Sequence, residues 1–341
     1  MAGARLLCGK AIAPPRSPRL SSLTSNARYA LGLRIVDKSK SILVTGAAGL
    51  IGRRVAEMLV AAGQTVCGTD RTADSEYPFE FGAADLIDTS AIDGLIRRGF
   101  GSVVHCGAIS GPMLGRNDPA GTIAINVAGT VNLLEGSRRH GVGRFVFCSS
   151  VSAYGATPPG VMLVPPTAPL NAVDIYGASK AAADVLVRAY AGEQGLDAVV
   201  LRIGWVYGPR RRTRSLLHRL IRDALEGRPS RIEHDGQFHV PLIHVDDVAA
   251  GLIAALGKRD LKGRAFNLTT GSREQMSVLA DIVRGHLPTA DITFTPGVRY
   301  PDIEQATFDI SETVTALGWS PQIAVCQGVA LYIDWLRTNT H

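Results

Sequence analysis

The chain has 341 residues, 46% of them hydrophobic and 19% charged, with 37 glycines; this is the composition of a globular protein with one large or two modest domains. No apolar run approaches the roughly 18–20 residues of a membrane span, so no membrane partner is expected. The formal charge of +6 belongs to the start of the chain: residues 1–40 carry eight basic side chains against Asp37, whereas 41–341 carry 28 basic and 29 acidic ones, which gives no reason to expect nucleic-acid binding.

Residues 1–40 read as a basic leader without stable structure, rich in Arg, Ser, Ala and Pro. It is either a non-functional extension from an upstream start codon, the preferred reading, or an organelle import signal. The expected location is the cytoplasm, with import by the leader as the alternative. Cys8, Cys67, Cys106, Cys148 and Cys326 are odd in number and contain no CxxC pair, so they are expected to be reduced thiols. No metal site is expected.

Ile42–Val44 is a short aliphatic run suited to a buried strand. Gly46, Gly49 and Gly52 follow, and then Leu50, Val55 and Leu59 recur at helical spacing. A strand, a glycine turn and a helix in this order form a dinucleotide cradle. The glycines let a pyrophosphate approach, and the backbone N–H groups around Leu50, Ile51 and Gly52 face it with the positive end of the helix dipole. Gln64–Thr69 reads as the next strand and ends at Asp70-Arg71. Asp70 is placed on the ribose hydroxyls and favours NAD over NADP, with Arg71 as a group able to hold a 2′-phosphate. Asp85 and Leu86 are placed over the adenine. Ser102–His105 is a further strand, running into the small turn Cys106-Gly107-Ala108, where a cofactor can lie against the backbone.

Ala120–His140 is a long helical stretch containing Asn126, and Arg144–Phe147 is the next strand, ending in Ser149, Ser150 and Ser152. Tyr176 and Lys180 stand four apart at the start of a helix, so both can act on one point. A tyrosine is a poor base at its ordinary pKa of about 10. A nearby ammonium is expected to stabilise the phenolate. The alternation of strands and helices predicts a parallel sheet covered on both faces.

The set Thr45-Gly46-x-x-Gly49-x-x-Gly52, Asp70, His105-x-x-Ala108, Asn126, Ser150 and Tyr176-x-x-x-Lys180 resembles the extended short-chain dehydrogenases/reductases, also called the NAD-dependent epimerase/dehydratase family. The likeness continues through Arg202, Tyr207-Gly208-Pro209, His244-Val245-Asp246-Asp247 and Leu317-Gly318-Trp319-x-Pro321, covering about residues 41–338. It implies a Rossmann-type doubly wound parallel sheet with NAD as cofactor and a smaller C-terminal α/β substrate domain. The large domain is expected over 41–206 plus 241–258, and the smaller one over 207–240 and 259–341. The resemblance further implies that Tyr176 is the acid/base and that Lys180 tunes it and binds the nicotinamide ribose. Ser150 would orient the reacting oxygen, Asn126 would have a structural and proton-relay role, and the protein would be a homodimer built on the two long helices.

Sugar-nucleotide members carry an Asn where this chain has Trp205, and an Arg where it has Val240. Both are expected holders of a nucleotide diphosphate. Val151-Ser152 cannot supply the Asp-Glu pair of the 4,6-dehydratases. Arg210, Arg211, Arg212 and Arg214 cluster where the family builds its substrate cleft, whereas Arg219 and Arg222 read as a solvated face. The expected substrate contacts are Ser150, Ser152, Trp205, Arg210, Arg212 and Arg214. The function expected from these departures is oxidoreduction of a small, polyhydroxylated, acidic compound. The alternatives are a nucleotide-sugar epimerase and, further off, a dinucleotide-sensing protein without catalysis.

Overall fold

The computed structural model describes residues 41–72, 76–211, 213, 215–234, 236–295, 297 and 304–339; the leader, Arg212 and Arg214 lie outside them. The first half is β1 (Ile42–Thr45), α1 (Leu50–Ala61), β2 (Val66–Asp70), β3 (Glu80–Ala83), α2 (Thr89–Ile96), β4 (Ser102–His105) and the short α3 (Pro112–Asn117) and α4 (Pro119–Ile123). A π-helical turn over Ala124–Ala128 leads into α5 (Gly129–Arg139), then β5 (Arg144–Ser150), β6 (Leu163–Val164), α6 (Ile175–Glu193), β7 (Ala198–Ile203) and β8 (Trp205–Tyr207). The rest is α7 (Leu216–Leu225), β9 (Ser230–Ile232), β10 (His239–Val240), β11 (Leu242–His244), α8 (Val245–Gly257), β12 (Ala265–Leu268), β13 (Glu274–Gln275), α9 (Met276–His286), β14 (Ile292–Phe294), β15 (Thr307–Phe308), α10 (Ser311–Leu317) and α11 (Val325–Thr338).

Seven strands make one parallel sheet in the order β12-β7-β5-β4-β1-β2-β3. All seven residues of β5 are buried, and they alternate between two cores. Val146 and Cys148 pack on the face covered by α1 and α8, while Phe145 and Phe147 pack on the face covered by α2, α5 and α6. A strand buried on both sides needs this near-continuous apolar run. The strand order reverses between β1 and β4, which opens a crevice at their carboxyl ends.

A second core gathers Leu217, Leu220 and Ile221 of α7 with Leu279 and Val283 of α9 and Tyr332 and Ile333 of α11. One expected boundary is corrected. β12 belongs to the stretch assigned to the smaller domain, yet it pairs with β7 at the edge of the main sheet, and Leu317 and Trp319 join that sheet's core. A buried carboxylate ties the segment around Trp319 to that sheet's helix. Asp247, in the first turn of α8, accepts hydrogen bonds from the backbone N–H groups of Gln322 and Ile323, at 2.9 and 3.0 Å. Trp319 Nε1 donates to its carbonyl at 3.1 Å. Cys67, Cys106 and Cys148 are free thiols. Among the described residues no helix is long and apolar enough to cross a membrane.

Candidate active site

The glycine turn has the shape of a phosphate cradle. Gly46 takes a φ of +66°, and a Cβ there would meet the Cys106 and Gly107 backbone at 2.7 Å. A Cβ on Gly52 would stand 2.2 Å from the Gly46 carbonyl oxygen. Only glycine fits either position. Gly49 precedes α1 and no side chain caps that helix, so the N–H groups of Leu50, Ile51 and Gly52 point into the crevice without a capping oxygen.

Asp70 closes the rim at the end of β2. Its carboxylate accepts from the N–H of Ala48 at 3.2 Å and of Arg71 at 2.8 Å, which ties it to the glycine turn, while Arg71 is exposed. Leu86 lies beneath the other wall, where a Cβ on Gly107 would meet its Cδ1 at 2.9 Å, and Asp85 shapes that loop by accepting from Ile87 N–H at 3.2 Å. These residues fit a dinucleotide: a glycine cradle for the pyrophosphate, free amides beside it, and a carboxylate for the ribose.

The π-helical turn aims Asn126 inward. Its amide accepts from Ile109 N–H at 2.8 Å and donates to Ile109 C=O at 3.0 Å and to Ser179 Oγ at 2.9 Å. Asn126 thus ties the turn after β4 to α6. Ser179 Oγ in turn donates to the Tyr176 carbonyl at 2.7 Å.

Tyr176 and Lys180 lie on the first turns of α6, whose start is capped by Asp174, and both are buried. Ser150 ends β5 and accepts from Ser152 N–H at 3.1 Å. The Ser110 and Ser150 hydroxyls lie close enough to the Tyr176 hydroxyl to favour its ionised form. Ser110 was missed in the sequence; the signal for it was a hydroxyl at the end of the small-residue turn after β4. In the protein alone, burial raises the Tyr176 phenol, and the two serine hydroxyls only partly oppose this. The expected lowering toward working pH is therefore not a property of these residues by themselves. Burial also brings the Lys180 ammonium down to about 8, opposed by Cys148, Cys106 and Asp184; its Nζ lies 4.4 Å from the centre of the Phe147 ring.

Of the expected arginine site, Arg210 and Arg211 lie among the described residues, and both are engaged with other groups of the protein. Arg210 adopts a φ of +69° and forms an ion pair with Glu57 of α1, while Arg211 donates to the carbonyls of Val206 and Thr213. Arg222 is no solvated bystander, since it donates to the carbonyls of Leu336 at 3.2 Å and Asn339 at 2.7 Å at the end of α11. Trp205 is half-buried with its ring 6.1 Å from that of Phe238, and Val240 is buried close by in the second core.

Residues 42–269 match the NAD-dependent epimerase/dehydratase family, and the chain belongs to that family, within the extended short-chain dehydrogenases/reductases. Its cofactor is NAD. The UDP-glucose 4-epimerase of Mycolicibacterium smegmatis is 30% identical over 315 residues, which are 87% of this chain and 99% of that protein. The crystal structure of UDP-glucose 4-epimerase with UDP-glucose from Thermotoga maritima superposes with a TM-score of 0.81 at 26% identity, covering 87% of this chain and 99% of that one. UDP-glucuronic acid 4-epimerase from Bacillus cereus, in complex with UDP-glucuronic acid and NAD, gives a TM-score of 0.78 at 26% identity, with coverage of 87% and 99%. The expectation of a small acidic substrate gives way to the epimerase alternative, because these full-length relatives act on nucleotide sugars.

Proposed function

We propose that the protein is an NAD-dependent 4-epimerase of a UDP-sugar, UDP-glucose or UDP-glucuronate. The observation that carries this reading is the buried Tyr176, one helical turn from the buried Lys180 and facing the hydroxyls of Ser110 and Ser150. The relatives matched over nearly their whole length include 4-epimerases, and Arg210 is engaged with Glu57 instead of standing ready for a small anion.

In this reading Ser150 holds the C4 oxygen of the sugar and Tyr176 takes the proton from it. NAD, when bound, would supply a reversible hydride acceptor for C4. Tyr176 would return the proton to the oxygen after the keto sugar has turned over. Lys180 supplies a positive charge that favours the phenolate. Val151 and Ser152 follow Ser150, so no carboxylate pair is at hand for elimination. A homodimer through α5 and α6 is part of the proposal; Val185 on α6 is 50% exposed and Ile123, just before the π-helical turn, is 49% exposed.

The test is incubation of the full chain with UDP-glucose and with UDP-glucuronate, following the C4 epimers by proton NMR and NADH by absorbance. Interconversion without net NADH is expected. Steady NADH production from a sugar acid, with both UDP-sugars untouched, would restore the oxidoreductase reading. Light scattering of Val185→Glu against the parent protein tests the dimer.

A further inference from the structure

Two thiols meet on the floor of the cofactor crevice and take no part in the hydride chemistry. Cys148 lies in β5, two residues before Ser150, and is buried; Cys106 is the first residue after β4 and is half-buried. The register of β4 and β5 sets His105 opposite Phe147, and one step further sets Cys106 opposite Cys148. Their sulfurs are 3.2 Å apart. Neighbouring strands run about 4.8 Å apart, within the roughly 4.4–6.8 Å Cα window of disulfides. Bond formation requires the sulfurs to close to about 2.05 Å, a movement of roughly 1 Å. Cys67 offers a contrast, being buried with Arg98 beside it and, among the described residues, no second thiol within bonding reach.

We propose that Cys106 and Cys148 form an oxidisable dithiol, converted by a hydroperoxide into a disulfide that weakens NAD binding. The Cys106 sulfur, the more exposed of the two, attacks the peroxide oxygen. The O–O bond breaks, giving a sulfenic acid and an alkoxide that takes up the thiol proton. The Cys148 sulfur then attacks the Cys106 sulfur, the S–O bond breaks, and the departing hydroxide leaves as water with the Cys148 proton. Two electrons pass from the two sulfurs to the peroxide, and the products are one disulfide, one alcohol and one water. With hydrogen peroxide, both oxygens leave as water.

The link to the cofactor is steric. Cys106 N–H donates to the Thr45 carbonyl at 3.2 Å and Gly107 N–H to Thr45 Oγ1 at 3.2 Å. Gly46 has no slack against the Cys106 backbone, since even a Cβ there would approach to 2.7 Å. A shift of Cys106 toward Cys148 therefore moves one wall of the glycine turn. The Cys148 hydrogen bond and burial push the Cys106 thiol well above its ordinary range, while Lys180 opposes them, so cross-linking should quicken as pH rises.

The experiment treats the full chain with hydrogen peroxide at pH 7 and pH 9 and digests it without reduction. The expected result is a peptide pair joining Cys106 to Cys148, two hydrogen masses lighter than the separate peptides, formed faster at pH 9, with Cys67 unmodified. NAD affinity by calorimetry should fall by about tenfold or more, a typical coupling between two sites, and return with dithiothreitol. Cys148→Ala and the closer mimic Cys148→Ser should both lose the cross-link and the reversible fall in affinity. Absence of the joined peptides would overturn the proposal. So would full NAD affinity in the cross-linked protein. Neither readout depends on which sugar the enzyme takes.

Discussion

Arg202 grips Asp184 at two points, Nε to Oδ2 at 2.8 Å and Nη2 to Oδ1 at 3.1 Å, in a part of the molecule where neither side chain is more than 2% exposed. The remaining guanidinium nitrogen donates to Tyr154 Oη at 2.8 Å and to the Pro166 carbonyl at 2.6 Å. Asp184 is one helical turn beyond Lys180, so this pair fixes the helix that carries Tyr176 and Lys180 to the adjoining strand β7. Breaking a buried pair from one side leaves a charge without a partner, which costs about 3–5 kcal/mol. Arg202→Met should therefore lower the unfolding free energy measured by urea titration by an amount in that range. A loss under about 1 kcal/mol would mean that Arg188, which already donates to Asp184 Oδ1 at 3.0 Å, is enough to hold the carboxylate.

Tyr176→Phe keeps the ring and removes the oxygen that faces Ser110 and Ser150. Turnover should drop by about 10²–10⁴-fold, the usual worth of acid–base catalysis, with NAD affinity and melting temperature nearly unchanged. Ser110→Ala should have a smaller effect and should move the pH profile of kcat to higher pH, because one of the hydroxyls that lower the phenol is lost. Near-normal turnover in Tyr176→Phe would remove Tyr176 from the reaction.

Asp70 is the proposed determinant of dinucleotide preference. The carboxylate repels a 2′-phosphate, and titration should find NAD bound more tightly than NADP. Asp70→Ala should narrow the gap by weakening NAD and relieving NADP. Tighter binding of NADP by the parent protein would shift the weight to Arg71.

Lys180 costs the fold stability at neutral pH, because burial lowers its ammonium from an ordinary 10.5 to about 8. Between these values the unfolded chain holds a proton that the folded protein has released, so this residue makes stability rise with pH there. Lys180→Met should thus be more stable than the parent in urea at pH 7, by an amount that shrinks as pH climbs from about 8 to 10.5. It should also be catalytically impaired. Equal stabilities at pH 7 would show that the cation–π contact with Phe147 and the neighbouring thiols already offset the burial.

The sheet and the cofactor cradle were legible because their chemistry is local. Val44, Gly46 and Gly52 lie within nine residues, and the demand for glycine at 46 and 52 comes from the chain's own backbone. Ser110 was not legible, since its role depends on the meeting of two segments 66 residues apart, which no periodicity announces. Arg222 looked like surface because its partners are carbonyls at the far end of another helix. The relatives favour the epimerase alternative over the small acidic substrate inferred from Trp205 and Val240. Two missing phosphate holders are weak evidence, because backbone N–H groups or other cations can take over that task.

The hydrogen bonds from Gln322 and Ile323 to Asp247 also bear on the order in which the protein can be made. Residues 247 and 323 are separated by β12, α9 and α10, and the indole of Trp319 fills part of the core beneath α8. During synthesis Asp247 leaves the ribosome long before its partners, carrying a charge meant for an interior that is still open. The nucleotide-binding half therefore cannot mature as an N-terminal unit while the remainder is being translated, and a chain halted before Trp319 should emerge as a substrate for chaperones.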